Sequence, residues 1–327
     1  SGCRLTNNVR ALAGLCVGCG RCARVCPQQV NIPALLSKIK SLSPGWKDWF
    51  WERLIKYGFC VATQDWLEPV LSMFLSAGRK KYLTALRRPE TARPWLKIKG
   101  RAPEAERVVV FPGCLGRFAW PHLQEKAEKL LKNLGYELLP TPDWACCGFT
   151  FKSAGLLEEE KRCQQINFSL WERLGRPKIV TFCATCEQGL LNSSFAEFQQ
   201  HIVFFDNLLA TAAWEIDTDI FQSDFRILWH KPCHAREHEF KLWREKFEMA
   251  EVKLDLNKDY CCGLGGSLQI EARDLSRQVS DFFWLNLDIN SKTHILSSCN
   301  GCVLQLRATR PEHVQVSHWL EIVKQEA

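Results

Sequence analysis

The sequence predicts an α/β protein in which a short, helical, cluster-binding N-terminal domain precedes two duplicated α/β domains related by pseudo-two-fold symmetry. Three observations predict this fold class. A lone cysteine, a Cys-Cys-Gly and a C-x-x-C recur twice in the same order. Short apolar strands lead into these cysteines and alternate with helical segments, which is typical of a parallel sheet. A run of four closely spaced cysteines precedes both copies.

The two copies of the cysteine pattern share their order and nearly share their spacing. The gaps before and after the Cys-Cys pair are 31 and 35 residues in the first copy, and 27 and 36 residues in the second. Ten of the 17 cysteines belong to the two copies, which are Cys114, Cys146, Cys147, Cys183 and Cys186, and then Cys233, Cys261, Cys262, Cys299 and Cys302. Five thiolates collected at one point indicate an iron–sulfur site and redox work.

The length and composition favour a protein that folds without disulfide bonds. A chain of 327 residues corresponds to about two domains and can bury a core without covalent staples. We identify no secretory signal, and C-x-x-C cysteines without one favour metal ligation in a reducing compartment, the cytoplasm. The sequence has no apolar run of 18 residues, so we expect no membrane-spanning helix.

The net charge of +7 has two interpretations. The first is an ordinary solvated surface. The second is a docking face for an acidic partner or for an anionic membrane surface, which would make the protein peripherally membrane-associated. Basic residues within 79–88 form a patch. Charge is the sole feature that would favour nucleic-acid binding, and we expect none.

Residues 16–27 read CVGCGRCARVCP, the C-x2-C-x2-C-x3-C-P spacing of a bacterial ferredoxin. Thiolates two residues apart can bind corners of one [4Fe–4S] cubane, and the intervening glycines let the backbone turn tightly around it. Pro27 stops the chain from continuing as a helix. We therefore expect residues 1–40 to form a ferredoxin-like [4Fe–4S] segment, with its candidate ligands in the run being Cys16, Cys19, Cys22 and Cys26.

The identity of the fourth ligand of this cluster is open. In two-cluster ferredoxins the fourth cysteine of such a run binds the other cluster, and this chain has a single run. One assignment takes Cys3, 13 residues upstream of Cys16, as the fourth ligand and leaves Cys26 spare. The other assignment uses the four cysteines of the run.

Residues 41–106 are predicted to form a helical connector and a linker. Apolar residues at helical spacing predict helices within 34–42 and 65–78. Prolines and glycines in 89–106 predict a linker to the next domain.

Aromatic residues are concentrated near the start of this connector, namely Trp46, Trp49, Phe50 and Trp51. We interpret them as shielding the N-terminal cluster from water, and the alternative is an anchor in a membrane interface or a partner groove. Cys60 and Cys163 lie outside every motif, and we expect both to be buried apolar side chains.

The duplicated domains are predicted to span 107–215 and 216–327. Their predicted strands end shortly before a lone cysteine or a C-x-x-C and lie at 107–112, 178–182, 226–229 and 294–297. Predicted helices at 120–134 and 153–174 alternate with the strands of the first domain. Ligands gather at the carboxyl ends of parallel strands, which is where this arrangement puts the cysteines.

The motif types explain why this chemistry needs these residues. A C-x-x-C that follows a strand and opens a helix holds two thiols near a positive helix end, which lowers their pKa. Adjacent cysteines do not fit two corners of one ordinary cubane, but they can bridge two metal positions or bind a fused, non-cubane cluster. Gly148 and Gly263 let the backbone pass close behind the two pairs, and we assign both to cofactor binding.

Several roles remain alternatives at this stage. Either five-cysteine set could hold zinc, or could form a redox-active disulfide. In the segment KPCHAREHE, a histidine could relay protons or donate a hydrogen bond to the cluster, and the alternative is a helix cap or interface residue. Both His230 and His234 flank Cys233. The candidate catalytic residues are Cys146, Cys147, Cys261, Cys262 and His234.

These motifs resemble those of the cysteine-rich CCG-domain proteins. That family includes the B-type subunit of CoB–CoM heterodisulfide reductase, its fusion with a C-type subunit, and the iron–sulfur subunits of glycolate oxidase, lactate utilisation and anaerobic glycerol-3-phosphate dehydrogenase. PCH at 232–234, CCGLGG at 261–266 and HWLEIV at 318–323 are similar to the glycolate oxidase subunit. The resemblance covers essentially the whole chain and implies two CCG α/β domains after the ferredoxin-like segment.

Two departures from the oxidase-type subunits matter. Those subunits usually carry two ferredoxin runs, and this chain has one. They often retain one cysteine of the final pair, whereas both final pairs are complete here. Complete sets look more like the heterodisulfide reductase branch, which implies a non-cubane [4Fe–4S] cluster at each five-cysteine set.

The resemblance implies two functions. As an electron-transfer subunit, the chain would relay electrons between a flavoprotein dehydrogenase and a quinone or another acceptor, because it lacks a G-x-G-x-x-G dinucleotide fingerprint of its own. As a disulfide reductase, it would cleave a disulfide substrate at paired clusters. A third interpretation is a non-enzymatic assembly protein with zinc at the CCG sites, and the ferredoxin run counts against it. We expect an iron–sulfur oxidoreductase subunit, and we favour electron relay over disulfide reduction as its function.

Overall fold

The computed structural model describes residues 7–42, 52–53, 77–87, 93–100, 106–220, 225–235, 237–249, 254–256, 260–266 and 268–324. Several predictions lie outside the described residues. They concern Cys3, Cys60, the aromatic residues at 46–51 and the predicted helix over 65–78, of which the structure describes just the last two residues.

The described elements include fifteen α-helices and ten strands. The helices are α1 (Asn7–Gly14), α2 (Arg21–Val25), α3 (Ile32–Ser41), α4 (Ala77–Arg87), α5 (Gly113–Phe118), α6 (Pro121–Asn133), α7 (Phe149–Ala154), α8 (Leu157–Arg173), α9 (Ala184–Leu191), α10 (Ala196–Gln200), α11 (Phe205–Leu209), α12 (Glu237–Met249), α13 (Leu268–Glu271), α14 (Arg273–Leu285) and α15 (Asn300–Thr309). The strands are β1 (Leu96–Lys99), β2 (Arg107–Phe111), β3 (Glu137–Leu138), β4 (Lys178–Thr181), β5 (Ile202–Phe204), β6 (Ala213–Ile216), β7 (Arg226–Trp229), β8 (Leu254–Leu256), β9 (Thr293–Ser297) and β10 (Gln315–His318).

Two four-stranded parallel sheets have the same topology. The first has the order β3-β2-β4-β5 and the second has the order β8-β7-β9-β10, with every neighbouring pair parallel. The inner strands are rich in β-branched and other apolar residues and are largely buried, as both faces of a helix-covered parallel sheet require. The predicted α/β class with two repeats is therefore confirmed. Their relation by a pseudo-two-fold axis stays a prediction.

A third, two-stranded sheet lies where the sequence predicts a linker. Strand β1 pairs antiparallel with β6, and Leu96 also bridges Val323 near the C-terminus. Its residues alternate, with Leu96 and Ile98 buried and the lysines more exposed, which is the pattern of a half-buried strand. The prolines and glycine around β1 predicted a linker. The alternation of apolar residues and lysines over four residues nevertheless suffices to form a strand.

The predicted helix over 153–174 is divided into α7 and α8. The break falls at Gly155, which has a φ of 83°, a left-handed conformation that favours glycine. A Cβ there would lie 2.5 Å from the Cβ of Lys40, so α3 of the N-terminal segment packs against this turn. The glycine therefore ends the helix and also makes room for the docked segment.

The buried side chain of Lys40 connects the N-terminal segment to both repeats. Lys40 is 4% exposed, and its Nζ donates to the Ser153 carbonyl oxygen at 2.8 Å. The same Nζ forms an ion pair with Glu271 at 3.4 Å. Because Ser153 belongs to the first repeat and Glu271 to the second, α3 holds the N-terminal segment across both.

A buried tryptophan cluster joins the repeats on another side. Trp243 of α12 stacks on Trp229 with ring centroids 4.3 Å apart and lies 5.5 Å from the Trp319 ring. Its indole nitrogen donates to the Asp206 carboxylate at 3.0 Å, a contact between the second and first repeats.

Among the described residues, no helix has the length and apolar character needed to cross a membrane.

Candidate metal centre

The first five-cysteine set converges from the three loops that follow β2, β3 and β4. Cys114 lies in the first turn of α5, the Cys-Cys pair directly precedes α7, and Cys183 caps the start of α9, which contains Cys186. Hydrogen bonds link the five thiols in a chain that runs in the order Cys114, Cys146, Cys147, Cys186, Cys183. The structure thus brings together the residues that the sequence pattern grouped.

The second set converges in the corresponding way on β7 and β9. Cys262 and Cys302 lie with their Sγ atoms 3.4 Å apart, and both are buried. Cys261 is hydrogen-bonded to Cys262, while Cys299 caps the start of α15 and is hydrogen-bonded to Cys302. Cys233 is close enough for the charges of Cys262 and Cys299 to raise its pKa, after burial, which is the main cause.

The two sets meet at their C-x-x-C turns. The thiol of Cys183 is hydrogen-bonded to that of Cys299, and the Thr185 hydroxyl lies 3.1 Å from the Cys299 Sγ. The Ala184 amide donates to the Ser298 carbonyl oxygen at 3.0 Å, so the two turns are joined through the backbone as well. Nine of the ten cysteines therefore form one continuous thiol cluster that crosses between the repeats, and Cys233 lies close enough for the charges of Cys262 and Cys299 to affect it.

Crowding divides these thiols into two electrostatic classes. Hydrogen bonds lower the pKa of Cys146, Cys262 and Cys299, chiefly those from Cys114, Cys261 and Cys183 respectively. The same hydrogen bonds raise the pKa values of the donating thiols, and burial raises these pKa values further. The pKa of Cys183 rises to about 12. Thiols packed this closely cannot all ionise beside each other in a buried site without a compensating cation. The donor set therefore suits a bound metal.

Glycines supply the close backbone approaches that the cysteine pairs need. Gly148 and Gly263 follow the two pairs with φ values of 86° and 90°, both in the left-handed region. On the opposite side of the first pair, a Cβ at Gly189 would lie 2.8 Å from the Cys147 Sγ. The conformations agree with the sequence argument, while a direct contact of Gly148 or Gly263 with a cofactor stays a prediction.

The ferredoxin-like run lies next to the second set. Its four cysteines are partly or fully exposed, and Gly18 and Gly20 turn the backbone with φ values near 70°. The Gly18 amide donates to the Cys16 Sγ at 3.4 Å. The charge of Cys19 contributes to the raised pKa of Cys233, and Arg24 donates to the Cys233 carbonyl oxygen at 3.3 Å. This contact brings the N-terminal run and the thiol cluster into one site.

A cavity of about 370 Å³ lies at this junction. Its lining includes Cys16, Cys19, Arg24, Lys152, Cys233 and His234. The His234 ring packs edge-on against Phe149 of the first repeat, with centroids 4.4 Å apart, and burial lowers its pKa. His234 is thus positioned beside the N-terminal run and Cys233, and a catalytic role for it stays a prediction.

One site residue was not anticipated from the sequence. Asn300, between Cys299 and Cys302, is 2% exposed, and neither its Oδ1 nor its Nδ2 has a hydrogen-bond partner within the described part of the chain. A buried amide left unpaired costs about 1–3 kcal/mol, which makes the Asn300 amide a candidate contact for a group bound at this site. The signal was a polar residue inside the C-x-x-C, where the first copy has Ala184.

Sequence comparison settles the family. The model of the CCG cysteine-rich domain matches residues 108–190 and again 227–307. The chain belongs to the CCG cysteine-rich domain family. Each match runs from the strand before the lone cysteine to the helix after the C-x-x-C, so the predicted family and its two copies are confirmed.

Similar proteins are named as iron–sulfur proteins or as subunits of oxidoreductases. The chain is 21% identical over 92% of its length to an uncharacterised iron–sulfur protein of Methanococcus maripaludis, of which it spans 58%. It is 24% identical over 95% of its length to the glycolate oxidase iron–sulfur subunit of Escherichia coli, spanning 81% of that protein. It is 23% identical over 89% of its length to one of the subunits of the CoM/CoB fumarate reductase of Methanothermobacter marburgensis, spanning 56% of that subunit.

The geometry and the family together fit iron–sulfur ligation by the two CCG domains. Crowded buried thiols, glycines placed against them and the unpaired Asn300 amide all suit a multinuclear, sulfur-bridged group. The cysteines that would hold it are the two five-membered sets. The number and type of clusters stay predictions, as do the domain boundaries and the fourth ligand of the N-terminal run.

Proposed function

We propose that this CCG protein is the iron–sulfur subunit of an oxidoreductase complex and relays electrons between a flavoprotein partner and a quinone or another acceptor. The order of neighbouring cysteines carries the proposal: Cys19 and Cys233 line one cavity, Cys233 lies beside the second set, and Cys299 of that set meets Cys183 of the first. Relatives named as subunits of glycolate oxidase and fumarate reductase support it.

Iron–sulfur clusters bound at these cysteines supply one-electron redox chemistry. The chain's own residues supply the insulated path. Six cysteines of the two CCG sets are 6% exposed or less and belong to the hydrophobic core, so the protein excludes water from most of that path. The N-terminal run is the exposed end, with Cys22 open to solvent. A redox partner would therefore dock at the N-terminal run.

The position of the cavity favours relay over disulfide reduction. A disulfide substrate cleaved at paired sites needs a space that reaches both Cys-Cys pairs. The 370 Å³ cavity instead borders the N-terminal run and Cys233, and none of the four paired cysteines, all within the described residues, lines it. Basic side chains line it as well, including Arg24 and Lys152. These features suit docking of an acidic redox partner near the run.

Disulfide reduction remains the alternative because both cysteine sets are complete and meet directly at Cys183 and Cys299. In that function, Cys146, Cys147, Cys261 and Cys262 would hold the reacting centres, and His234 would supply a proton. The electrons that a flavoprotein partner delivers would then reduce a disulfide substrate on this chain. They would not be passed on to an acceptor.

The deciding experiment measures iron, sulfide and zinc in anaerobically purified protein, with EPR spectra recorded before and after mild thiol oxidation. We expect about twelve irons per chain, three clusters of four, and spectra unchanged by thiol oxidation. A thiol-responsive signal with the same iron content would favour disulfide chemistry. About four irons with zinc in the remainder would refute the relay through the CCG sites.

A matched pair of cysteine variants controls for unfolding. Cys183→Ser removes a thiol at the junction of the two sets, while Cys163→Ser removes a buried cysteine that packs against Phe151 outside both sets. We expect iron loss in the first and unchanged iron in the second. Equal loss in both would mean that destabilisation, rather than ligand removal, explains the effect.

A further inference from the structure

The two CCG sites differ at the third residue before the lone cysteine. Aligning the strands on their following cysteines puts His230, three residues before Cys233, at the position of Phe111, three residues before Cys114. Phe111 is fully buried and packs against the Trp144 ring at 5.6 Å, so the first site is apolar there. The second site has an imidazole in the same place.

That imidazole lies close enough to two cysteines for the three side chains to bind one metal ion. One ligand atom each of His230, Cys262 and Cys302 lies within 4.8 Å of the other two, and all three residues are buried. The Cys262 and Cys302 Sγ atoms are 3.4 Å apart. Metal–ligand bonds of about 2.0–2.3 Å in a tetrahedral site put neighbouring ligand atoms roughly 3.3–3.8 Å apart. Small movements would therefore let one metal ion bind all three.

The protein also fixes the orientation of the His230 ring. Its amide donates to the Leu296 carbonyl oxygen at 2.8 Å, and its carbonyl oxygen accepts from the Ser297 hydroxyl at 3.2 Å. The ring packs edge-on against Phe283 with centroids 5.3 Å apart. A buried imidazole whose backbone is anchored to β9 and whose ring packs on Phe283, beside Cys262 and Cys302, is a preorganised nitrogen ligand.

A second polar residue distinguishes the same site. Asn300, whose buried amide has no hydrogen-bond partner among the described residues, belongs to the second set, and the first set has Ala184 in its place. The second site thus carries two polar groups that the first replaces with apolar side chains. Both substitutions point to a different ligand shell in the second site.

We propose that His230 is a nitrogen ligand of the metal held by the second CCG site, beside Cys262 and Cys302, while the first site has thiolate ligands alone. The inference rests on the proposed function only in that it takes the second set to bind a metal centre. A neutral imidazole adds no negative charge where a thiolate would, and histidine ligation raises the reduction potential of iron–sulfur centres. The two sites would then differ in potential despite sharing one motif.

The test is pulsed EPR of anaerobically purified protein carrying ¹⁵N-labelled histidine, reduced or oxidised until the second site is paramagnetic, with metal content measured in parallel. We expect a strong ¹⁵N coupling in the unaltered protein. His230→Phe, which installs the residue of the first site, should abolish it, and the smaller His230→Gln should do the same if the bulkier change impairs folding. His234→Phe is the matched control and should retain the strong coupling.

Each outcome bears on the inference separately from the proposed function. A ¹⁵N coupling that persists in both His230 variants would overturn ligation by His230 while leaving an iron–sulfur relay intact. Zinc in the second site would count against the relay, but X-ray absorption at the zinc edge would still test the ligand. One nitrogen among sulfur ligands, lost in the His230 variants, would support the inference, and an all-sulfur shell would overturn it.

Discussion

Gly189→Ala should empty the first CCG site without unfolding the protein. Gly189 lies in α9, one turn after Cys186, and is buried against the first Cys-Cys pair. A Cβ at this position would lie 2.8 Å from both the Sγ and the carbonyl oxygen of Cys147, and 2.9 Å from its Cβ. One of these atoms belongs to the backbone, so rotation of a side chain cannot relieve the overlap.

The size of the effect follows from these distances. Ordinary contacts between non-bonded atoms lie at about 3.5–4.0 Å, so Cys147 must move by roughly 1 Å. Overpacking costs about 1–3 kcal/mol, and alanine in place of a helical glycine returns about 1 kcal/mol. The net loss of stability is therefore about 0–2 kcal/mol. Metal sites tolerate changes of about 0.2 Å in ligand distance, so ligation suffers far more than folding.

The assay compares Gly189→Ala with Gly301→Ala after anaerobic purification. Gly301 occupies the C-x-x-C of the second copy, and a Cβ there would lie 2.7 Å from the Leu264 Cδ2, the movable tip of a side chain. We expect Gly189→Ala to lose about four irons per chain, one cluster, and Gly301→Ala to retain them. Full iron content and an unchanged EPR spectrum in folded Gly189→Ala protein would refute the reasoning.

Three further predictions concern buried polar groups. Burial raises the pKa of Asp206 to about 8, so the folded chain keeps a proton that the unfolded chain releases above about pH 4. Its contribution to stability falls as the pH rises through this window, and Asp206→Asn should flatten the pH dependence of the urea midpoint. Arg307→Met should cost about 3–5 kcal/mol in thermal unfolding, because it breaks the buried 2.5 Å pair with Glu321; a smaller loss would mean that His122 compensates. Lys40→Met should accelerate proteolysis within residues 7–42, and unchanged cleavage would show that Lys40 does not hold the segment.

Local patterns in the sequence were sufficient for the elements that flank the cysteines. The strand predicted at 226–229 has those bounds, and the strands predicted at 107–112, 178–182 and 294–297 differ by one residue at one end. These runs are short, apolar and bounded by the cysteine turns, so one local signal defines both their type and their ends. The division of the helix at Gly155 could not be predicted from local sequence, because it depends on the packing of Lys40 against this glycine.

The membership of each cysteine set was also predictable, because an order that occurs twice is a pattern in its own right. The join between the sets was not predictable, because Cys183 and Cys299 are 116 residues apart and nothing in either motif encodes their contact. The Thr185 hydroxyl beside Cys299 and the backbone bond from Ala184 to Ser298 create that join. These contacts come from residues between the cysteines, which the motif leaves unspecified. The duplicated motif therefore groups the cysteines into two sets, and residues at its variable positions join the two sets.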